Sequence, residues 1–447
     1  MFRRVLIANR GEVAARVLRT LKRLGVQAVA LASEADQDLG YLHEADEVVV
    51  LGGLRPYLDQ DAILEAAQRT RCAALHPGWG FLSENAAFAA RCEAARLTFV
   101  GPRPLSMRLM GDKALARDTM RRFGLPPIPG GDGVLADAEH AEREAARLGY
   151  PVLLKALAGG GGRGMRIVKQ PDALRAAFLE ASAEAAGAFG DGGLYIERYV
   201  ERGRHIELQL MGDGQGLVRV LGARECSVQR RHQKLIEETP APQLAPATLA
   251  AAIAQVEAAC GQLRYRGAGT VEMLQDDAGA LWFMEMNTRL QVEHTITEAV
   301  TGLDLVEWQL RVAANQGIGG LRLDGAPQGA AIECRINAED VAAGFRPTPG
   351  RVTKLRLPTG PGVRVDTHLR EGDRISPHYD SMIAKLITWG PDRATAIDRM
   401  LGALLGLDVE GVPTTTALHA RILRHPTFVS GQYDTRFLER ELERLLA

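Results

Sequence analysis

The sequence predicts an α/β protein with a helix-covered parallel sheet at its N-terminus, a small second domain and a long β-rich remainder. Three observations carry that prediction: a strand–helix–strand opening before residue 31, a glycine run between two apolar strands at 151–168, and a period-two polar pattern from Glu285 to Glu293. At 447 residues the chain exceeds one ordinary compact core, and its length corresponds to about three domains of usual size.

The opening reads as a strand from Val5 to Ala8, an amphipathic helix through Leu24 closed by Gly25, and a strand from Gln27 to Leu31. Further strand and helix signals at Glu47 to Leu51, Ile63 to Arg69 and Ala73 to Leu75 extend a parallel sheet over the first hundred residues. The first loop, Asn9-Arg10-Gly11-Glu12, lacks GxGxxG, so no nicotinamide cofactor is expected. The Pro- and Gly-rich stretch Leu125 to Gly131 marks a change of module. Apolar strands at 151–155 and 165–168 then flank the glycine run, and the small domain closes with the strand Leu194 to Tyr199. From about Glu201 onward the chain alternates strands near 205, 218, 270 and 282, ending in a Pro/Gly-punctuated tail around Pro347 to Asp380.

Composition narrows the function. With 46% hydrophobic and 24% charged residues and a net charge of -1, nothing favours nucleic acid or an anionic membrane surface. The five cysteines (Cys72, Cys92, Cys226, Cys260, Cys334) form no CxxC pair and read as free thiols in a reducing compartment. No leader precedes the first strand and no apolar run reaches a membrane span, so a cytoplasmic protein is expected.

The run from Lys155 to Met165 joins strand to strand, unlike a Walker A loop or a Rossmann turn. It reads either as a lid whose free N–H groups and Lys155 approach phosphates, or as a mobile hairpin tip. Glu285, Asn287, Arg289, Gln291 and Glu293 all fall at odd positions, so an extended stretch aims them one way. The preceding strand, Gly269 to Leu274, places Glu272 opposite Glu285 across a hairpin. Two carboxylates and an amide oxygen at one spot suit a hard cation, which makes Glu272, Glu285 and Asn287 the candidate metal ligands; the alternative is a solvated edge strand. Arg289 and Glu293 pair a cation with a carboxylate, suited to holding a small anion and removing its proton, or to a plain salt bridge. In the donor-rich stretch Arg224 to Lys234, Lys234 and His232 reach the same anion or form a basic turn. His205 and Glu207 alternate on a strand facing the same cleft.

Together these residues resemble the biotin carboxylase family over essentially the whole chain. The matching stretches are Ile7 to Glu12, His76-Pro77-Gly78-Trp79-Gly80-Phe81-Leu82-Ser83-Glu84-Asn85, Met110 to Lys113, the glycine lid, Gln229 to Lys234, Glu285 to His294, and Glu333 to Asp340. The resemblance implies an ATP-grasp fold in four segments: a Rossmann-like domain at 1–112, a linker and mobile lid at 113–200, a catalytic core at 201–330, and a β-rich C-terminal domain at 331–447. It implies that Lys113, Lys155, Gly161, Gly162, His205, Gln229 and His232 contact ATP, with the hinge Glu197, Arg198, Tyr199 and Val200 at the adenine. Mg²⁺ or Mn²⁺ would sit on Glu272, Glu285 and Asn287. Bicarbonate would meet Lys234, Arg289, Gln291, Val292 and Glu293, while Arg335 would stabilise the ureido oxygen of biotin. Ala158, Arg198 and Thr295 depart from the commonest family pattern, the last toward the pyruvate carboxylases.

The reaction so implied is carboxylation of carrier-borne biotin through carboxyphosphate, the first half-reaction of an acetyl-CoA or acyl-CoA carboxylase. Glu293 would be the base and Lys155 and the lid would neutralise developing charge. None of the seven lysines lies in the Met-Lys-Met setting of biotin attachment, so a separate carrier, a carboxyltransferase and a homodimer are the expected partners. The alternatives are the corresponding component of a pyruvate or other 2-oxoacid carboxylase, another ATP-grasp ligase, and a non-catalytic nucleotide-binding subunit.

Overall fold

A computed structural model describes residues 1–131, 133–157, 164–321 and 327–446. Gly161, Gly162 and Ala158 lie outside the described residues.

The N-terminal strands β1 (Arg4–Ile7), β2 (Gln27–Ser33), β3 (Glu47–Leu51), β4 (Ala74–His76) and β5 (Thr98–Phe99) form a parallel sheet in the order β3-β2-β1-β4-β5. Buried apolar runs such as Val5-Leu6-Ile7 fill strands covered on both faces. The helix Gly11–Arg23 buries Val13, Val17, Leu18 and Leu21 and carries Glu12 in its first turn and Lys22 and Arg23 in its last, as the helix dipole favours. Past its end the chain turns through Gly25 at φ +68°, a conformation cheap only for glycine.

In the second unit β6 (Val152–Ala156) pairs antiparallel with both β7 (Met165–Val168) and β8 (Leu194–Arg198). Val152, Leu154, Leu194 and Ile196 pack on Ala141, Ala145, Phe178 and Ala181 from the helices Ala138–Leu148 and Leu174–Phe189. This small three-stranded layer thus has a core of its own, independent of the larger sheet.

Most of the remainder is one antiparallel sheet. Strands β9 (Arg204–Asp213), β10 (Val218–Arg230), β11 (Gln233–Thr239), β12 (Arg266–Gln275), β13 (Leu281–Asn287) and β14 (Ala330–Asn337) join the strands Met382–Gly390 and Val363–Thr367. The order is β13-β12-β9-β10-β11-β14, then Met382–Gly390 and Val363–Thr367. The line between 330 and 331, where the sequence suggested a domain boundary, therefore falls within a continuous sheet: β14 pairs with β11, Glu333 opposite Glu237. The tail at 346–375 is broken into strands of two to five residues.

One face of the β12–β13 end packs Val271, Met273, Phe283 and Met286 against Met110, Met120, Val256 and Tyr265. The Phe283 N–H donates to Pro126 O at 2.8 Å, and Ile128 N–H donates back to Phe283 O at 3.3 Å, which docks the linker onto the sheet. Phe283→Ala should therefore cost about 3–5 kcal/mol, read as a lowered urea midpoint at unchanged m. Among the described residues no helix is long and apolar enough to cross a membrane.

Candidate active site

Register across the sheet builds the site. Glu285 lies opposite Glu272, Glu272 opposite Glu207, and Glu207 opposite Arg224, a single row across β13, β12, β9 and β10. Partners directly opposite share a face, so three carboxylates converge where the flanking strand residues are apolar and buried. Such a row stands only if cations are built into it.

Two buried cations do this. Arg224, fully buried, donates to Glu207 Oε2 at 3.0 Å, Gln209 Oε1 at 2.7 Å, Gln291 Oε1 at 2.6 Å and Thr297 Oγ1 at 3.0 Å. Lys234 enters from β11 after the tight turn at Arg231 and His232, both at positive φ. Its ammonium meets Glu207, Glu272 at 3.1 Å and Glu293 at 2.7 Å. Burial alone would strip its proton, but Glu207, Glu272 and Glu293 hold it well above the ordinary lysine value. Burial works equally against Glu207, yet Lys234 and His205 keep it ionised. His205 Nε2 lies 3.0 Å from Glu272 and 3.3 Å from Glu207; burial disfavours its charge, and these carboxylates push it up to about 10 instead. Gln229 lies 2.8 Å from the other ring nitrogen.

Glu285 is treated differently. Burial first, then the charge of Glu272, pushes its carboxyl up, with Lys113 and Lys155 pulling the other way. Glu272 and Glu285 stand opposite each other in register, and this pair of oxygen donors fits a hard cation such as Mg²⁺. The Asn287 amide shows its nitrogen to this spot: Nδ2 donates to Glu272 Oε1 at 2.7 Å while Oδ1 accepts from Arg289 at 2.9 Å. To serve as an oxygen ligand it must turn over, a rotation that exchanges near-isosteric atoms.

The expectation of an extended stretch from Glu285 to Glu293 holds only as far as Asn287. The chain then leaves the sheet, and the helix His294–Thr301 follows directly on Glu293. The polar groups still meet because the connecting loop folds back over the row. Gln291 Nε2 donates to Glu272 Oε1 at 2.9 Å, and Val292 lies buried beside Glu293. Arg289 pairs with Glu84 at 2.9 Å from the N-terminal domain rather than with Glu293. Glu293 instead takes Lys234 on one oxygen and Arg335 Nη2, at 2.9 Å, on the other. Burial raises the Glu293 carboxyl, but Lys234 and Arg335 outweigh it and hold it below the usual range. Arg335 also donates to Glu237 at 2.6 Å, whose carboxyl burial pushes up to about 7.

On the opposite side Lys155 reaches Glu197, which also accepts from Arg117 at 2.8 Å. Glu197 is therefore an ion-pair partner, and its side chain is committed. In the hinge, Arg198 N–H donates to Pro129 O at 2.8 Å and Tyr199 N–H to Pro151 O at 3.0 Å, while Val200 follows them into the next turn. Burial lowers the Lys113 ammonium, partly offset by Glu285. His232 is exposed at its turn, its proton disfavoured by burial and by Lys155 and His205. Arg224, Glu237, Arg117 and Glu84 had no place in the sequence reading of the site.

Residues 1–107 match the biotin carboxylase N-terminal domain, 112–320 the ATP binding domain of the carbamoyl-phosphate synthase L chain, and 333–440 the biotin carboxylase C-terminal domain. The biotin carboxylase of Nostoc sp. (strain PCC 7120) is 47% identical over 442 residues, covering 98% of this chain and 99% of that one. The chain belongs to the biotin carboxylase family. Another relative, the 2-oxoglutarate carboxylase small subunit of Hydrogenobacter thermophilus, is 45% identical over 98% of this chain and 93% of its own. Among solved structures, a dimer of the biotin carboxylase domain of that organism's 2-oxoglutarate carboxylase, with MgADP, ADP and bicarbonate, superposes at TM-score 0.93 with 44% identity. It covers 100% of this chain and 99% of that one. The Campylobacter jejuni biotin carboxylase complex with β-γ-ATP gives the same TM-score and identity over 98% and 99%. The chain thus has the ATP-grasp architecture of its family, with the row of carboxylates on the large sheet.

Proposed function

We propose that Glu293 is the base in the ATP- and bicarbonate-dependent carboxylation of biotin that this family performs, and that Lys234 and Arg335 organise its two substrates around it. One observation carries the assignment: the two oxygens of a single buried carboxylate are held by Lys234 at 2.7 Å and Arg335 at 2.9 Å. A group bound in that way is ionised and fixed, as a base needs to be before substrate arrives.

Bicarbonate binds against Lys234, Arg289, Gln291 and the Val292 backbone. Glu293 removes its proton, and the resulting dianion attacks the γ-phosphorus of ATP, giving carboxyphosphate and ADP. Lys155, Lys113 and the lid glycines Gly161 and Gly162 offset the charge that builds on the phosphoryl oxygens, while Gln229, His205 and His232 orient the phosphates and Glu197 to Val200 receive the adenine. Glu272, Glu285 and the turned Asn287 would hold Mg²⁺ or Mn²⁺, which would supply positive charge to offset that of the nucleotide phosphates. Carboxyphosphate then breaks to CO₂ and phosphate, and phosphate takes the ureido proton of biotin. Arg335 stabilises the negative oxygen left on the ring, and the ureido nitrogen attacks CO₂.

Segments 1–112, 113–200, 201–330 and 331–447 serve in this reading as platform, lid, catalytic sheet and biotin-side cover. Biotin arrives on a separate carrier, and a carboxyltransferase passes the carboxyl group onward. The Hydrogenobacter domain crystallised as a dimer, which supports a homodimer here. Five free thiols, four of them buried, support a reducing, cytoplasmic location. Phosphate release from MgATP should require bicarbonate and rise with free biotin. Release that ignores bicarbonate would point to a different ligase of the same fold.

A further inference from the structure

Beneath the catalytic loop lies a buried ion pair that the reaction scheme does not use. Lys385, on the strand Met382–Gly390, is fully buried and stands opposite Arg335 in the sheet register. Its ammonium donates to the carbonyl oxygen of Val292 at 2.8 Å and meets Glu12 Oε1 at 3.0 Å. Glu12 belongs to the first turn of the helix Gly11–Arg23, in the N-terminal domain, and is itself buried. Apart from the lysine, neither of its carboxylate oxygens finds a hydrogen-bond donor among the described residues. Asp366 lies opposite Lys385 on the other neighbouring strand but is engaged by Arg364 at 2.7 Å and Arg19 at 2.8 Å.

We infer that Lys385 is a positioning residue for bicarbonate activation, setting the peptide between Val292 and Glu293 through its bond to the Val292 carbonyl, with Glu12 as its anchor. That peptide carries the N–H of Glu293, so its plane fixes where the Glu293 carboxylate emerges. The loop is tethered elsewhere too: Gln291 donates to Glu272 and accepts from Arg224, Arg289 and the Thr288 N–H donate to Glu84, the latter at 3.1 Å, and His294 Nδ1 lies 2.7 Å from Gln291 O. Lys385 is the tether next to the base. A buried ammonium held by one carboxylate and one carbonyl costs more in desolvation than a well-packed apolar side chain in its place, which makes a purely stabilising role a poor account of it. The pair also ties the position of Glu293 to the N-terminal domain.

This inference rests on the assignment of Glu293 as base, so Glu293→Gln is measured alongside. The test variant is the double substitution Lys385→Met with Glu12→Gln, which removes both charges of the pair and leaves Glu12 no unpaired charge. Thermal unfolding, ADP affinity by calorimetry, and kcat and KM for bicarbonate and for ATP are measured on each protein. The double variant should fold and bind ADP within about twofold of the parent. Its bicarbonate KM should rise about tenfold and its kcat fall on the order of 10²-fold, the loss a misplacement of about 1 Å produces. KM for ATP should hold, since the nucleotide side is built on other strands. Glu12→Gln alone, which keeps an acceptor for Lys385, should restore most of the bicarbonate affinity. A double variant that fails to fold, or that folds with parental bicarbonate kinetics, overturns the positioning role. Full activity in Glu293→Gln overturns the base assignment beneath it instead.

Discussion

Glu293→Gln should lower bicarbonate-dependent phosphate release by on the order of 10²–10⁴-fold in kcat, the range a general base supplies. The substitution is isosteric, so the loop keeps its shape, but one oxygen becomes an NH₂ that can only donate. Facing Lys234 at 2.7 Å or Arg335 at 2.9 Å, it sets donor against donor, and no orientation of the amide satisfies both cations. ADP affinity should stay near the parental value because Lys155 and the hinge at 197–200 lie on separate strands. Steady-state phosphate assays with calorimetry for ADP give both readings, and a variant with parental kcat would remove Glu293 from the chemistry. The pH profile adds a signed check. Because Lys234 and Arg335 hold the Glu293 carboxyl below its ordinary 4.5, the base stays ionised as pH falls to that value, and activity limited by it declines only below. An acid limb near neutrality would belong to some other group.

How much of this was legible in the sequence depended on whether the information was local. The βαβ opening and the lid hairpin follow from periodicity and punctuation, and both fall within about two residues of where the pattern put them. The meeting of Glu272 with Glu285 was equally local: two alternating strands and a turn fix the register. Alternation could not show where β13 stops, because the polar residues at 289, 291 and 293 keep the period while the backbone leaves the sheet at Thr288. Which carboxylates the cations would pair with was hidden for a different reason. Arg224 and Glu207 are 17 residues apart and become neighbours only through the β9–β10 register, and Arg335 reaches Glu293 from 42 residues away. A local signal did exist for the first pair. Glu207 and Gln209 on β9 and Arg224 on β10 are polar residues set among apolar neighbours in strands buried almost throughout, and a charge in such a strand implies a partner. The same signal marks Lys385, a lone charge between Ala384 and Leu386 on the strand Met382–Gly390, but its carboxylate partner Glu12 comes from the other end of the chain.

Lys234→Met should produce the largest loss of stability of any single change in the site, about 3–5 kcal/mol, because it leaves carboxylates rather than a cavity behind. Glu207, Glu272 and Glu293 share this ammonium, and Arg224 on Glu207, His205 on Glu272 and Arg335 on Glu293 each offset only part of the remaining charge. The pH dependence gives the sign. In the parent all three carboxyls lie below the ordinary value of 4.5, so they stabilise the fold above that pH and the contribution is lost as pH falls through their depressed values. Without the lysine, burial dominates and lifts them, so a protonated carboxyl becomes the better-tolerated form. Its stabilising contribution is then present at low pH and lost as pH rises. The deficit relative to the parent should accordingly be greatest at about pH 8 and shrink toward about pH 5, read as the difference between urea midpoints at the two values. A deficit that is equal at both would mean that the methionine's fit, rather than the missing charge, sets the cost. In that case Arg224, His205 and Arg335 would suffice to hold the row, and Lys234 would be free to act on bicarbonate alone.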